Sequence, residues 1–373
     1  MRRLGGKVYS KLEQFWYRPL RGWGCLLALL LLPFSWVFAC IVGLKNWLYA
    51  LRIRKPKVIA GAFVVSVGNI HVGGAGKTPV VIFLANWMKA CGHKVAILSR
   101  GYGRKSREVV CVRAEEENMP DARILGDEPR MMALRCPGIS VWVGPDKVEL
   151  AERACKAGAN CLLVDDGFQT RRLHRDVDIV VLDASVGFGN GHLLPCGPLR
   201  EPKSSLGRAR FLWLRKAHST NRLGISSPIE AEHCLTGLWN AQQWFPVEYL
   251  RQKQVFAVSA LARPSTFVQS LKSLGANVVG NCFFRDHHFF SKEELELVFE
   301  QSKKMQALLV TTEKDFQRIA FYPEFLPKVW VLTMGIQLLN GAQLLAEAMK
   351  LSVDKLYAST PLGFEVMVNG GKR

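Results

Sequence analysis

The chain has 373 residues, too many for one ordinary hydrophobic core, so we expect two domains. Hydrophobic residues make up 49% of it and the charges are scattered, which argues against a disordered protein. The formal net charge of +19 predicts an anionic partner, which could be nucleic acid, acidic lipid or a phosphorylated substrate. The 10 cysteines form no C-x-x-C pair and no zinc spacing, as is typical of a reduced, cytosolic protein.

The first predicted element is an apolar helix. No charged residue occurs from Trp23 to Leu44, and this stretch is long enough as a helix to cross a hydrocarbon core of about 30 Å. Basic residues flank both ends, so the orientation stays open, and Pro33 leaves room for a kinked or re-entrant segment. A buried core helix is the alternative interpretation. We predict a single N-terminal membrane anchor, which with its basic flanks covers residues 1–57.

Short apolar runs then alternate with helical patterns, beginning with the strand "FVVSV" and the helix "PVVIFLANWMKA". Further runs such as "VAILS", "CLLV" and "DIVVL" predict strands, and a second series follows Gln254. This alternation predicts an α/β fold with a doubly wound, mostly parallel sheet like that of P-loop NTPases. The predicted divisions are a nucleotide-binding core at 58–217, an inter-domain region at 218–253, a smaller α/β domain at 254–350 and a tail at 351–373.

A glycine-rich turn joins the first strand to the first helix of this series, in the stretch "SVGNIHVGGAGKTPVV". The strict P-loop pattern fails because His71 stands where its first glycine belongs, but the part that holds phosphate is present. Backbone N–H groups of the glycines can surround phosphate oxygens, a lysine can reach the β- and γ-phosphates, and a threonine hydroxyl can bind Mg²⁺. The predicted nucleotide-binding residues are Gly73, Gly74, Gly76, Lys77 and Thr78.

A candidate metal site follows the buried strand in "CLLVDDGFQTRR". Asp165 and Asp166 would stand at the carboxyl edge of the sheet, where ligands bind in such folds. Adjacent carboxylates at this edge suit Mg²⁺, either directly or through water. One of them could instead cap a helix, which would leave the other unexplained. The two motifs together predict a nucleoside triphosphate site.

Four polar clusters distinguish the chain from a generic ATPase: "SRGYGR", "GDEP", "GFGNGHLLPCGPLREP" and "FFRDHHFF". In the last, Asp286, His287 and His288 are enclosed by phenylalanines, so they could face a cleft or form part of a core. An Asp–His combination can take the proton of an acceptor hydroxyl. A divalent metal site on Asp286 and His288 is the rival interpretation.

These clusters, together with "GGAGKTP", "DDGFQ", "ARP" and "TEKD" in this order, resemble the bacterial tetraacyldisaccharide 4′-kinase family. The likeness extends from about residue 10 to 335. It implies ATP as donor, Mg²⁺ as cofactor and, as acceptor, the 4′-hydroxyl of an acylated glucosamine disaccharide 1-phosphate in lipid A biosynthesis. It also implies one N-terminal anchor at the cytoplasmic face of the bacterial inner membrane, where anionic lipids are expected partners.

The resemblance assigns roles to matching positions. Asp127 and His287, with Asp286 beside it, would form the acid–base group, and Lys77 would hold the β- and γ-phosphates. Magnesium would be held by Thr78, Asp165, Asp166 and Glu201. Active-site contacts to substrate or to the transferring phosphoryl group are expected from Tyr102, Glu128, Gln169, Arg171 and Arg200.

Two departures from the family pattern stand out. Thr170 replaces a histidine after "DDGFQ", with His174 or Arg172 as candidates to compensate, and His71 replaces a small hydroxyl residue. Lys314 and Asp315 in "TTEKDF" could contact adenine or ribose, or the segment could be an ordinary helix start with Thr312 as its N-cap.

Two other function classes remain to be weighed. A membrane-tethered P-loop ATPase or switch GTPase without a lipid acceptor explains the loop and the anchor but leaves "GDEP" and "DHH" unused. A nucleic-acid-binding ATPase is suggested only by the charge, because we find no recognition helix and no aromatic–basic stripe, and no nucleic-acid partner is expected. The oligomeric state is left open.

Overall fold

The computed structural model describes most of the chain, namely residues 15–17, 23–104, 106–116, 119–215, 228–240, 243–261, 264–286 and 288–358. In the first part of the chain the elements are α1 (Trp23–Ala50), β1 (Phe63–Gly68), α2 (Lys77–Ala90), β2 (Val95–Ser99), β3 (Val110–Val112), α3 (Ala122–Leu125), α4 (Asp127–Arg135), β4 (Ser140–Val143), α5 (Lys147–Lys156), β5 (Cys161–Asp165), β6 (Val177–Asp183) and β7 (Phe211–Arg215). In the second they are β8 (Ile229–Trp239), β9 (Trp244–Phe245), β10 (Gln254–Ser259), α6 (Pro264–Ser273), β11 (Asn277–Phe283), α7 (Lys292–Lys304), β12 (Leu308–Thr312), α8 (Glu313–Ile319), β13 (Trp330–Leu338), α9 (Ala342–Met349) and α10 (Asp354–Ala358).

The described strands form one 13-stranded sheet in the order β11-β10-β12-β13-β8-β7-β6-β1-β5-β2-β4-β3, with β9 paired to β8. From β7 to β4 neighbouring strands are parallel, and β3 is an antiparallel edge. The prediction of a doubly wound, mostly parallel α/β sheet is confirmed. The carboxyl ends of β1, β5 and β2 therefore lie side by side, where the sequence predicts the site.

Helices cover both faces of the sheet, and the strands are buried accordingly. Along β1, Val65 and Val67 pack with α2 and α4, whereas Val64 faces the cluster that contains α5. In the second series α6 covers one face, and α7 and α8 cover the other. Because both faces are buried, these strands are continuous apolar runs, which is why they could be recognised in the sequence.

Strand β8 joins the two series, because it pairs in parallel with β7 and antiparallel with β13. It lies inside 218–253, the region that we assigned between domains for want of an apolar pattern. Most of its residues are only half-buried, and polar side chains such as Glu230, Glu232 and His233 interrupt it. The division of the chain into domains stays a prediction.

Helix α1 is long and apolar enough to cross a membrane by length and composition. One side of it contacts the rest of the protein. The Ser35 hydroxyl donates to the Leu193 carbonyl (3.0 Å) and accepts from the Cys196 N–H (2.9 Å), and the Lys45 ammonium donates to the Gln169 carbonyl (2.8 Å). The other side exposes large apolar residues, among them Leu30, Phe34, Trp36, Val37 and Ile41. The helix is therefore held along the sheet domain, with an apolar surface facing outward.

Candidate active site

The phosphate-binding turn lies between β1 and α2, as predicted. Gly73 and Gly76 have left-handed φ angles of 106° and 79°, which glycine adopts without strain. A Cβ atom at Gly76 would lie 2.4 Å from His233 Cε1, so no larger residue fits there. Nothing lies within 4 Å of a Cβ built on Gly73 or Gly74, so this part of the turn is open to a ligand.

The segment 198–200 fixes the turn from one side. The Val72 N–H donates to the Pro198 carbonyl (2.8 Å), and the Arg200 N–H donates to the Ile70 carbonyl (2.7 Å). These bonds bring the predicted residue Arg200 to the phosphate-binding turn. His71, which departs from the P-loop pattern, is buried here, and burial together with the Lys77 charge lowers its pKa to about 4. Its imidazole is therefore neutral at physiological pH and adds no charge to the turn.

Lys77, Asp166 and Arg200 meet beside the turn. The Lys77 ammonium lies 3.2 Å from Asp166 Oδ1, and the Arg200 guanidinium lies 3.0 Å from Asp166 Oδ2. Burial alone would raise the pKa of Asp166, but Lys77 and Arg200 outweigh it and bring that pKa to about 2. Asp166 has a left-handed φ of 48°, which is uncommon outside glycine and costs energy. Two cations are thus held beside the turn, around one carboxylate that is ionised at neutral pH.

Asp165, the neighbouring carboxylate, is in a different environment. It is 6% exposed, and its Oδ2 accepts a hydrogen bond from the Ser99 hydroxyl (2.9 Å) at the end of β2. Burial and then the nearby Glu128 charge raise its pKa to about 6. Glu128 begins α4, so the "GDEP" segment faces the metal-site strand.

A buried lysine donates hydrogen bonds to the backbone of these two aspartates. Lys147, at the start of α5, donates from Nζ to the Asp165 carbonyl and to the Asp166 carbonyl (2.9 Å). Burial lowers its pKa to about 8, and Asp165 opposes that shift. The lysine holds the backbone at the strained Asp166, and we did not identify it from the sequence.

The donor set at this edge fits Mg²⁺. Within the described residues no group of three His, Cys, Asp or Glu side chains could hold a metal ion. Mg²⁺ usually binds through one or two carboxylates together with substrate phosphates and water, so Thr78, Asp165 and Asp166 match that requirement. Glu201, the fourth predicted ligand, is 3% exposed and bonds Arg208 (2.6 Å) and Asn46 (3.4 Å). Its observed partners are therefore cationic and amide groups.

Asp127 lies in a second cluster of charges, 5% exposed at the first position of α4. Arg318 of α8 forms an ion pair with its carboxylate, and Lys314 lies 3.8 Å from the same oxygen. Lys314 also approaches Glu128 (3.4 Å). The "TEKD" segment is thus a helix start with Thr312 as its N-cap, as one of our two interpretations predicted. Lys314 contacts carboxylates of α4.

The "FFRDHHFF" segment is described except for His287, which lies outside the described residues. Asp286 is exposed. His288 bonds the Glu294 carboxylate (2.8 Å) and stacks on Phe284, with ring centroids 4.9 Å apart. These contacts give His288 an observed role in packing this loop against α7. How Asp286 and His287 relate to Asp127 stays a prediction.

Two predicted residues lie between the aspartates and α1. Gln169 donates to the Asn69 carbonyl (2.7 Å), and Arg171 donates to Asn46 (2.9 Å) and packs over the Tyr49 ring (4.9 Å). A cavity of about 340 Å³ adjoins them, lined by Phe38, Val42, Lys45, Asn46, Gln169, Leu194, Arg200 and Glu201. Its lining combines apolar residues of α1, Phe38 and Val42, with Arg200. Tyr102 is 74% exposed, in the turn after β2.

Arg172 and His174, which we suggested in compensation for the histidine that Thr170 replaces, have observed partners of their own. Arg172 forms an ion pair with Asp146 (3.0 Å), and His174 lies 3.8 Å from Asp176. The Thr170 carbonyl accepts a bond from Arg175 instead. The two residues we suggested therefore have their observed partners elsewhere.

Sequence reasoning missed several residues of this site. Lys147 could have been found, because it follows the strand "SVWV" and so falls at the same sheet edge as Asp165. Asp183 likewise ends β6 and pairs with Arg215 beside the phosphate-binding turn. Arg318 carries no such signal, because it lies inside a short polar helix.

Comparison with known proteins gives one family. The sequence model described as "Tetraacyldisaccharide-1-P 4'-kinase" matches residues 27–352. The chain is 41% identical to the tetraacyldisaccharide 4'-kinase of Anaeromyxobacter sp. (strain K) over 91% of this chain and 95% of that protein. It is 35% identical to the enzyme of the same name from Gluconobacter oxydans (strain 621H), over 87% of this chain and 93% of that protein.

A solved structure is consistent with the same family. LpxK from Aquifex aeolicus, crystallised in complex with ATP, superposes with a TM-score of 0.73 at 30% identity, covering 87% of this chain and 98% of that one. The residues that the family model matches include the phosphate-binding turn, both aspartates and helices α4 and α8. The chain belongs to the tetraacyldisaccharide 4′-kinase family.

Proposed function

We propose that this protein transfers the γ-phosphate of ATP to the 4′-hydroxyl of an acylated glucosamine disaccharide 1-phosphate, at a site built from the phosphate-binding turn, the end of β5 and α4. The observation that carries the proposal is the cluster of Lys77, Asp166 and Arg200, which opens onto a cavity bounded by the apolar helix α1. Neither a switch GTPase nor a simple ATPase requires a cavity that is lined both by the arginine of its phosphate site and by apolar residues of a helix such as α1.

The positively charged groups beside the turn suit the phosphates of ATP. The open backbone at Gly73 and Gly74 and the start of α2 would surround the phosphates, and Lys77 would lie against the β- and γ-oxygens. Arg200, held by the Ile70 carbonyl through its backbone, would stabilise charge on the phosphoryl group as it moves. Both cations rest on Asp166 in this structure and would exchange that partner for phosphate.

Mg²⁺ would be held by Thr78 with Asp165 or Asp166, where it would neutralise charge on the β- and γ-phosphates. Lys147 keeps the backbone of both aspartates in place through their carbonyls. Glu201 bonds Arg208 and Asn46, so we assign it to shaping the cavity next to α1.

The acceptor would enter through the cavity beside α1. Its sugar hydroxyls would meet the polar lining formed by Lys45, Asn46 and Gln169, and its acyl chains would follow the apolar side of the helix. The Arg171 and Arg208 guanidinium groups both donate to the side-chain oxygen of Asn46 at this wall (2.9 and 3.1 Å). We assign the 1-phosphate of the acceptor to these cations, since charge-assisted bonds to phosphate are the strong ones.

Deprotonation of the acceptor is assigned to Asp127 with His287. The proton of the 4′-hydroxyl passes to this pair, the oxygen attacks the γ-phosphorus, and ADP leaves. Asp286 precedes His287 and would orient it. Glu128 and Tyr102, at the same end of the sheet, are candidates for contacts to the substrates.

The exposed apolar side of α1 would lie in the membrane, which family membership also suggests. We place the protein at the cytoplasmic face of the bacterial inner membrane, where ATP is present and where anionic headgroups would attract its positive surface.

The experiment is transfer of labelled γ-phosphate from ATP to purified tetraacyldisaccharide 1-phosphate in detergent micelles. Wild-type protein is compared with Lys77→Ala and with Lys89→Ala, which removes a lysine at the far end of the same helix. We expect acceptor-dependent labelling that Lys77→Ala removes and Lys89→Ala keeps. Phosphate release that is equal with and without lipid would instead support an ATPase and contradict the proposal.

A further inference from the structure

Arg318 is a buried cation that the proposed chemistry leaves unused. Its side chain is 1% exposed, yet it lies in a seven-residue helix of the second strand series and reaches across to α4. We propose that Arg318 is a positioning residue, which fixes the carboxylate of Asp127 for proton transfer from the acceptor. The proposal rests on the proposed function, and on Asp127 being part of the acid–base pair.

The guanidinium is held at both of its ends. Nη2 forms the ion pair with Asp127 Oδ2, and Nη1 donates to Asp315 Oδ1 (3.1 Å). Asp315 is fully buried, and its other oxygen accepts from the Thr312 hydroxyl (2.8 Å). A planar guanidinium bound to two carboxylates in this way is fixed in orientation, and it holds the Oδ2 oxygen of Asp127 in place.

The surrounding contacts keep α8 against α4. Arg130 bonds Gln317, and Arg135 bonds Glu313, whose second carboxylate oxygen accepts from the Met334 N–H (3.0 Å). Arg318 is the member of this interface that bonds both Asp315 and Asp127. The second strand series therefore contributes directly to the position of the Asp127 carboxylate.

A positioned base needs such a support. Displacing a reacting group by about 1 Å can cost about 10²-fold in rate, so the carboxylate must be held by groups that are themselves fixed. Among the described residues, the charges that face Asp127 include Arg318 and Lys314 from α8, with Glu128 next to it on α4. Arg318 is the buried one of the two cations, and its own anchor is the buried Asp315. Lys314 divides its charge between Asp127 and Glu128 and is more exposed.

A simpler possibility is that Arg318 only joins the two helices. The two roles predict different kinetics. A residue that acts through Asp127 should lower kcat and leave the KM for ATP nearly unchanged, and its removal should cost nothing further once Asp127 is disabled. A purely structural residue should lower activity equally in both backgrounds.

The test uses full-length protein in micelles with ATP and tetraacyldisaccharide 1-phosphate. The variants are Arg318→Met, Arg318→Lys, Asp127→Asn and the double variant Asp127→Asn/Arg318→Met, with Arg130→Met as matched control at the same interface. We expect Arg318→Met to lower kcat by about 10²-fold. Arg318→Lys should recover part of that loss, since it keeps the charge but not the fork, and Arg130→Met should stay near wild type. The double variant should match Asp127→Asn.

Losses that multiply in the double variant would overturn the proposal, as would a raised KM for ATP with kcat unchanged in Arg318→Met. Should Arg318→Met fail to fold because the buried Asp315 loses its cation, Arg318→Lys, which keeps the charge, decides when it is measured alone and combined with Asp127→Asn. Wild-type kcat in Asp127→Asn would overturn this inference alone, because acceptor-dependent transfer by the wild-type protein tests the proposed function separately.

Discussion

Two buried aspartates on either side of β1 should respond in opposite directions when they are neutralised. Asp165 ends β5 and has the Ser99 hydroxyl as its partner, whereas Asp183 ends β6 and forms an ion pair with Arg215. Burial dominates at Asp165 and raises its pKa, and the ion pair outweighs burial at Asp183 and lowers its pKa. Their substitutions by asparagine therefore separate the cost of burying a charge from the gain of pairing one.

The size of the expected change in stability follows from the pKa of Asp165. It is raised from 3.8 to about 6, so its contribution to stability is fully present below pH 3.8 and is lost as the pH rises through about 6. At neutral pH the charged form costs the folded state about 3 kcal/mol. Asp165→Asn should raise the free energy of unfolding by this amount, because it removes the buried charge. With an unfolding entropy of roughly 0.8 kcal/mol per kelvin for a chain of this length, the Tm should rise by about 4 °C.

Asp183→Asn should have the opposite effect. The lowered pKa means that the stability due to Asp183 is present above the unfolded value and is lost as the pH falls. Its substitution leaves the Arg215 guanidinium, 20% exposed, without its carboxylate. Breaking a buried pair from one side costs about 3 kcal/mol, so the Tm should fall by a few degrees.

The assay is thermal unfolding in detergent, without ATP and with a chelator, at pH 7.5 and at pH 4.5. At pH 7.5 we expect the Asp165 variant to melt above wild type and the Asp183 variant below it. At pH 4.5 the advantage of Asp165→Asn should shrink, because wild-type Asp165 is then protonated. A Tm for Asp165→Asn that is equal to or lower than wild type at pH 7.5 would refute the reasoning. The same variant should nevertheless lose kinase activity, since it removes a proposed Mg²⁺ ligand.

The other predictions concern catalysis and the membrane. Lys77→Ala should lower phosphoryl transfer by about 10²–10³-fold through loss of a phosphate contact, and Arg200→Ala should lower kcat by a similar factor. Asp127→Asn should lower kcat by about 10²–10⁴-fold with a smaller change in KM, as expected for a lost general base. Phe34→Glu, at a position 65% exposed on α1, should weaken partition into vesicles by about 10²-fold. Steady-state kinetics in micelles and vesicle flotation measure these effects.

Three of these predictions have a control variant of their own. Lys89→Ala should leave transfer unchanged, and Arg210→Ala, which removes a cation over the Phe211 ring, matches Arg200→Ala. Wild-type turnover in Arg200→Ala would remove this residue from the transition-state role. Glu248→Ala, in a short helix distant from α1 in the chain, should not change flotation. Equal flotation of Phe34→Glu and wild type would show that the apolar side of α1 does not carry the membrane contact.

The part of the site that would bind ATP was predictable because its residues follow the ends of parallel strands. Buried strands read as apolar runs, and the residues that follow them must fall at one edge of the sheet. Lys77, Asp165 and Asp166 were found in this way, and their contacts in the structure follow from the adjacent pairing of β1 and β5. The same rule would have found Lys147 and Asp183. They were missed because we looked for familiar motifs rather than for every strand end.

The contacts of α1 could not be predicted from the sequence, for a different reason. An apolar stretch with flanking charges is equally compatible with a free anchor and with a helix packed along one side. The contacts of Ser35 and Asn46 decide between these, and both are polar residues that composition alone treats as tolerated exceptions. The sequence therefore predicted that the helix exists, but not that Ser35 packs against the rest of the protein or that Lys45 and Asn46 line the cavity next to the phosphate site.

The contact between Asp127 and Arg318 depends on topology. The two residues are separated by 191 positions, and neither has a neighbour in sequence that points to the other. They meet because β8 pairs with β7 on one side and antiparallel with β13 on the other, which joins the two strand series edge to edge and brings α8 onto α4. Strand β8 is also the element with the weakest apolar pattern. A half-buried strand forms because of the strands it pairs with more than because of its own residues. The strand that brings the acceptor side of the site together is therefore the one that is hardest to predict from the sequence.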